Sequence, residues 1–206
     1  MNELEGFREL EIKNLTKLRF VCYMFLILLN LGIIIFFLYS FYSVYIERNI
    51  DVNFLPYIAP TIFPIQCILL VALGPLVFIL HTRFQYAIKE IKGLNEEYLQ
   101  RYYEYVNSIE RAFTGIPPYI FTQKGMIVIK NFSHELYPPN SIEKLTISII
   151  KRGGLARNSI KIYQQNKVKN TLTFIGFQTS RLEFIKKNVK LENPYVIIEE
   201  ITNNTW

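Results

Sequence analysis

Two apolar stretches decide the fold: FVCYMFLILLNLGIIIFFLYSFYSVYI (residues 20–46) and IAPTIFPIQCILLVALGPLVFIL (residues 58–80). Neither stretch holds a charged residue, and each exceeds the roughly 20 apolar residues that a helix needs to cross a bilayer core. Helices buried in soluble domains and signal peptides usually have shorter apolar segments. We therefore expect two transmembrane helices at residues 20–46 and 58–80, joined by an external loop at residues 47–57.

Basic residues flank both apolar stretches on what would be one side of a membrane, whereas the connecting loop has only Arg48. The positive-inside rule assigns such residues to the cytoplasm. The sequence therefore predicts a multi-pass protein of the inner (plasma) membrane with both termini cytoplasmic. The residues that set this orientation are Lys13, Lys17, Arg19, Arg83, Lys89 and Lys92.

Polar residues are rare inside the apolar stretches. Asn30 and Gln66 are the candidates for hydrogen bonds between the two helices. Pro60, Pro64 and Pro75 interrupt the second stretch, and a proline bends a helix because it removes a backbone hydrogen bond. Two interpretations stay open, a hinge that lines a pathway and an ordinary kinked membrane helix.

The cytoplasmic N-terminal segment, residues 1–19, carries a weak helical stripe of Leu4, Phe7, Leu15 and Leu18. This pattern predicts a short helix that lies on, or enters, the membrane. A solvated tail is the alternative.

The juxtamembrane segment, residues 81–116, reads as a helix over residues 83–113. Gly93 followed by Asn95 indicates that one helix stops and a capped one starts. Apolar and aromatic residues recur every seven positions, which is typical of a helical packing seam. The seam serves either self-association or packing against the chain's own C-terminal domain. Its first row is Phe84, Ile91, Tyr98 and Tyr105.

Composition limits what else the chain holds. Its 206 residues leave room for one modest domain beside the helices, and residues 81–206 hold 18 of the 23 Lys and Arg but only 11 of the 17 acidic residues. A basic domain tethered to a membrane favours anionic lipids over nucleic acid as its partner. Cys22 and Cys67 fall inside the apolar stretches, and His81 and His134 stand alone, so we expect no disulfide, metal or cofactor.

From residue 117 the pattern changes to short strands. Alternating apolar residues and turn signals predict strands at 119–122, 126–131, 143–152, 159–164, 170–177 and 195–201, with a helix at 180–190. Such an order favours a small, strongly bent antiparallel sheet or partial barrel closed by a C-terminal helix. The fold class is therefore an α+β membrane protein whose domain spans residues 117–206.

This part of the chain resembles a bacterial pleckstrin-homology-like (PH-like) domain. The resemblance rests on YIFTQKGMIV (119–128), YPPNSIEKL (137–145), NSIKIY (158–163) and FIGFQTSRLEFI (174–185). Members often place two membrane spans ahead of the domain. The resemblance implies a non-enzymatic scaffolding or binding role at membranes, and some members protect producer cells against their own bacteriocins. Two departures are the extra strand at 195–201 and Phe121, where a polar residue is more usual.

The chemistry of an enzyme is missing from the sequence. It has no phosphate-binding glycine loop, no paired carboxylates with a base, and no serine in a nucleophile elbow. We expect no catalytic residue. One basic cluster stands out as a candidate site for a lipid headgroup, another anion or an acidic partner, with ordinary solvated turns as the alternative. It comprises Lys151, Arg152, Arg157, Lys161, Lys167 and Lys169.

The sequence thus predicts a membrane-anchored binding module that holds a lipid, a protein partner or a second copy at the membrane, in bacteriocin self-protection or envelope stress. Two alternatives stay open. One is a membrane effector that senses a small ligand, and the other is a structural subunit of a larger membrane complex.

Overall fold

The computed structural model describes residues 3–48, 50, 52–108, 115–130, 133–152, 155–165, 167–175 and 179–204, without the side chains of 108, 150–158, 173–181 and 202–204. It is an α+β structure in which two long apolar helices precede a small sheet region. The helices are α1 (Glu3–Glu47), α2 (Phe54–Gly93), α3 (Glu96–Ser108) and α4 (Thr179–Glu192). The strands are β1 (Tyr119–Thr122), β2 (Gly125–Ile129), β3 (His134–Tyr137), β4 (Lys144–Arg152), β5 (Leu155–Gln164), β6 (Lys167–Ile175) and β7 (Ile197–Asn204).

Helices α1 and α2 each contain a segment long and apolar enough to cross a membrane. Only 6% of the most apolar window of α1 and none of that of α2 is buried inside the protein, unlike the core helix of a soluble domain. Large apolar side chains such as Phe63 and Val71 are therefore exposed. The two helices meet at both ends of these segments, where the rings of Tyr42 and Phe54 lie 5.3 Å apart and Tyr23 shares a hydrogen bond with His81.

Helix α2 continues through Pro60, Pro64 and Pro75 and ends at Gly93. Leu94 then adopts an extended conformation, and the side-chain oxygen of Asn95 accepts the backbone N–H of Tyr98 at the start of α3. This cap satisfies one of the N–H groups that a helix start leaves unpaired. The predicted break after Gly93 is confirmed, and residues 109–113 of the predicted helix lie outside the described residues.

The strands form two sheets, ordered β1-β2-β3 and β6-β5-β4-β7. Neighbouring strands are antiparallel except β7, which runs parallel to β4. Alternation along β4 and β5 places the pairs Leu145↔Ile162 and Ile147↔Ile160 in the core with no exposed surface. The predicted strand 119–122 matches β1, and the other five predicted strands were found with shifted ends. Residues 131, 176 and 177 of the predicted strands lie outside the described residues, and β3 is an addition to the prediction.

A single hydrophobic core joins the helices to both sheets. It contains Phe84 and Ile91 from α2, Leu99 and Tyr105 from α3, and Ile185 from α4, beside the apolar faces of the strands. Phe84, Ile91 and Tyr105 belong to the seven-residue seam, so the seam packs against the chain's own domain. The juxtamembrane helices are therefore part of the domain's core.

The N-terminal segment also belongs to this core. It continues into the first apolar stretch as one helix of 45 residues, about 68 Å long at 1.5 Å per residue. Leu15 is 2% exposed, and the ring of Phe7 lies 4.9 Å from that of Tyr103 in an edge-on arrangement. The predicted helix is found as the start of α1. Its stripe packs against the domain core, with Leu15 buried and Leu4, Phe7 and Leu18 partly buried.

Polar contacts fix the same junction. Arg8 donates a 2.7 Å hydrogen bond to the carbonyl of Leu94, between α2 and α3. The hydroxyl of Tyr102 donates a 3.0 Å hydrogen bond to the carboxylate of Glu11, and both side chains are buried. Burial raises the pKa of Tyr102 well above its usual value, and the charge of Glu11 raises it further. The phenol therefore stays a hydrogen-bond donor throughout the physiological pH range.

Candidate anion-binding pocket

A cavity of about 660 Å³ lies where α2 leaves its apolar segment and passes the end of β2 and the start of β3. This volume is within the range of small-molecule sites in proteins, about 300–1,000 Å³. Its first lining residue, His81, directly follows the apolar segment that ends at Leu80. The lining residues are His81, Thr82, Arg83, Gln85, Tyr86, Ile88, Lys89, Lys92, Ile129, Lys130, Ser133 and His134.

Helix α2 separates two faces at this level. Phe84, Ala87 and Ile91, at spacings of three and four residues, point into the core and are almost completely buried. Gln85, Lys89 and Lys92 are exposed on the pocket side. The same helical period that buries the apolar face thus presents the polar face to the cavity.

The described lining contains four basic side chains and no carboxylate. Lys130 pairs with Glu135 just beside the pocket. Burial acts to raise the pKa of Glu135, but hydrogen bonds from Lys130 and Tyr137 outweigh it and hold the pKa below its usual value. The positive charge of Lys130 is therefore already compensated.

The other three basic residues differ in their surroundings. Lys89 and Lys92 are exposed and form no ion pair within the part of the chain that the structure describes. Burial lowers the pKa of the half-buried Arg83 from its usual value. A guanidinium keeps its charge despite such a shift, so the pocket combines a partly desolvated cation with two solvated ones. This arrangement attracts anions.

Aromatic rings form one wall of the pocket. The rings of Tyr86 and His134 stack with centroids 3.7 Å apart and planes 18° apart. Burial and the neighbouring Glu90 raise the pKa of Tyr86 to about 12. At the end nearest the apolar segment, Tyr23 Oη and His81 Nδ1 share a 2.8 Å hydrogen bond that ties the pocket to α1. Both histidines therefore have aromatic neighbours, and the described residues include no group of His, Cys, Asp or Glu that could hold a metal ion.

The structure divides the predicted basic cluster between the two ends of the β5 strand. Arg157 lies near its start, whereas Lys167 pairs with Gln164 at its end, seven residues or about 23 Å further along the strand. The six residues therefore do not share one rim, because a hairpin places its two turns at opposite ends of the shared strand. Lys161 is exposed in the middle of β5, and the side chains of Lys151, Arg152 and Arg157 lie outside the described set.

One member of the predicted cluster lies close to the pocket. Lys169 helps to lower the pKa of Glu135, the partner of Lys130, and the neighbouring Asn170 donates a 3.2 Å hydrogen bond to the same carboxylate. The β6 strand therefore supports the pocket's edge through Glu135. Anion binding by the predicted cluster stays a prediction.

Asn30 and Gln66 are both half-buried in the apolar segments. Among the described side chains, neither takes part in a hydrogen bond, and the amide oxygen of Gln66 is shielded without a partner. The expected contact between the two helices through these residues remains a prediction.

The sequence did not predict the pocket, although several of its lining residues had been considered for other roles. Arg83, Lys89 and Lys92 indicated only orientation, and His81 and His134 counted as isolated. The available signal was the spacing of Gln85, Lys89 and Lys92 on one helix face. The second wall, from Ile129 to His134, joins through tertiary packing that no local pattern reveals.

No protein-family model, curated protein or solved structure matches the chain. The PH-like assignment therefore stays a prediction.

Proposed function

We propose that the chain is a two-pass protein of the bacterial inner membrane whose cytoplasmic, PH-like domain is a non-enzymatic binding module. In this proposal α1 and α2 form a transmembrane hairpin, and both termini lie in the cytoplasm. Support for the placement comes from the exposed apolar segments of both helices and from the basic residues that flank them.

The observation that carries the proposal is the shared core. Leu15 from α1 and Phe84 and Ile91 from α2 pack in the same cluster as Leu145 and Ile185 of the domain. A domain that takes part of its core from the juxtamembrane helices cannot swing away from the membrane on a linker. It holds its pocket at a fixed height, which suits a module that binds at the membrane surface.

Ligand binding follows from the chemistry of the pocket. The described part of its lining offers the exposed Lys89 and Lys92 to an anion and includes no carboxylate; Glu90 lies beside Tyr86, and Glu135 is paired with Lys130. Residues 81–206 as a whole carry 18 basic and 11 acidic residues, which adds a favourable background potential. We therefore propose an anionic ligand or partner at the cytoplasmic face.

The test is an in-cell crosslink of the tagged full-length protein, followed by purification from membranes and mass spectrometry. We expect a membrane-embedded protein that carries a specific lipid or protein partner. Recovery as a soluble protein, or from membranes with no specific partner or lipid, contradicts the proposal. A soluble nucleotide as the recovered ligand would instead support a small-ligand-sensing effector.

A further inference from the structure

We infer that the pocket binds the phosphate group of an anionic phospholipid from the leaflet in which α1 and α2 end. This inference rests on the proposed membrane placement and names the ligand class of the same site. The shared chemistry is a phosphate ester, and the lipid is the source that the geometry favours.

The first argument is depth. At 1.5 Å per residue, His81 to Gln85 lie about 1.5–8 Å beyond Leu80, the last residue of the apolar segment. The headgroup region on each side of a bilayer core is roughly 5–7 Å thick. The near end of the pocket therefore lies at the level of the lipid phosphates.

The second argument is the direction of the basic side chains. Side chains on an α-helix lean toward its N-terminus, which for α2 is the membrane side of the pocket. Lys89 and Lys92 lie about 14 and 18 Å beyond Leu80 along the helix, and their long side chains lean back toward the headgroup layer. Arg83 lines the same cavity closer to Leu80.

The third argument is continuity with an apolar surface. Leu76, Val77 and Phe78 are exposed on α2 just before the pocket. A phospholipid whose phosphate enters the cavity would place its acyl chains along this surface. A soluble phosphate ester would use the cations alone and has no apolar part to extend into the layer that residues 58–80 are proposed to cross, which is why we commit to a lipid.

The experiment uses purified full-length protein in neutral detergent, incubated with phosphatidylglycerol and phosphatidylcholine of matched acyl chains and analysed by native mass spectrometry. A phosphatidylglycerol preference is expected for the wild type. Each basic residue near an anionic surface contributes about a fivefold gain in binding. The double variant Lys89→Gln/Lys92→Gln should therefore bind phosphatidylglycerol about 25-fold more weakly.

Controls separate this site from general basicity and from misfolding. The matched double variant Lys124→Gln/Lys190→Gln removes the same charge from exposed positions outside both the pocket and the predicted basic cluster and should bind like the wild type. The double variant Lys89→Arg/Lys92→Arg should keep the preference. Equal losses in both glutamine variants, or no loss in the Lys89/Lys92 pair, would overturn the inference.

Two further outcomes are decisive. If sn-glycerol 3-phosphate binds lipid-free protein with the same sensitivity to Lys89→Gln/Lys92→Gln, the ligand is a soluble phosphate ester and the lipid assignment is wrong. Membrane insertion is measured separately, by resistance of the protein to carbonate extraction. Insertion without a phosphatidylglycerol preference overturns only this inference, whereas extraction by carbonate overturns the proposed function as well.

Discussion

Replacement of Leu15 by alanine tests the claim that the N-terminal segment is part of the domain core. Leu15 is 2% exposed and lies one turn after Glu11, which is buried on the same face of α1. Truncation of a buried leucine to alanine costs about 2–5 kcal/mol, because it loses apolar burial and leaves a cavity. For a protein of this size, a loss of that magnitude lowers the thermal midpoint by at least about 4 °C.

The chain supplies a matched control for this change. Leu10 lies on the same helix and is 55% exposed, so Leu10→Ala makes the same chemical change without opening a cavity. Alanine is the best helix former, hence neither substitution weakens the helix itself. We expect Leu10→Ala to shift the midpoint by less than about 2 °C.

The assay is thermal unfolding of the full-length protein in detergent, followed by circular dichroism. A solvated tail, or a helix that only rests on lipid, would make both leucines equally tolerant in detergent. Equal midpoints for Leu15→Ala and Leu10→Ala would therefore refute the shared core at this end, and with it the fixed height of the domain.

Three other substitutions test particular contacts by the same assay. Burial raises the pKa of Glu192 from 4.5 to about 7. Between pH 4.5 and pH 7 the folded protein therefore holds a proton that the unfolded chain has released, so the free energy of unfolding falls as pH rises through this range. After allowance for partial exposure of the carboxyl group, the free energy of unfolding falls by about 1–2 kcal/mol over this range. Glu192→Gln should abolish the pH dependence, which is measured by comparing thermal midpoints at pH 5 and pH 8. Tyr102→Phe should cost about 1.5–3 kcal/mol, since it removes the hydrogen bond to buried Glu11; an unchanged midpoint would contradict this. Gly125→Ala should lower the free energy of unfolding by more than about 2 kcal/mol, because φ is +117° and a Cβ would lie 2.0 Å from a β3 carbonyl oxygen. The control Gly115→Ala places its Cβ in open space and should be tolerated.

Local patterns in the sequence were enough to predict most of the helices and strands. The alternation of Leu145 and Ile147 predicted a strand with one buried face, and both residues are completely buried. The pair Gly93 and Asn95 predicted the break between α2 and α3, because glycine ends helices and asparagine caps them. In each case the deciding interaction lies within a few residues along the chain.

Elements fixed by distant partners were harder to predict. Strand β3 has the sequence HELY, whose polar residues give no alternation, and it exists through pairing with β2, for example Met126↔Tyr137. Strand β7 was predicted as a strand, but its parallel pairing with β4 depends on two intervening strands and α4. The pocket is missed for the same reason, since its walls lie about 40 residues apart and only packing brings them together.

The position of the pocket follows from the shared core. Helix α2 runs without interruption from its apolar segment to Gly93, and Phe84 and Ile91 fix its rotation and height against the sheets. One residue inserted between Leu80 and Phe84 would turn the following face of the helix by about 100° and raise it by about 1.5 Å. Because Phe84 and Ile91 follow the insertion, the sheets and the pocket would turn and rise with them relative to the apolar segment. A module on a flexible linker tolerates such a change, so the rigid connection itself favours a ligand that lies at one fixed depth.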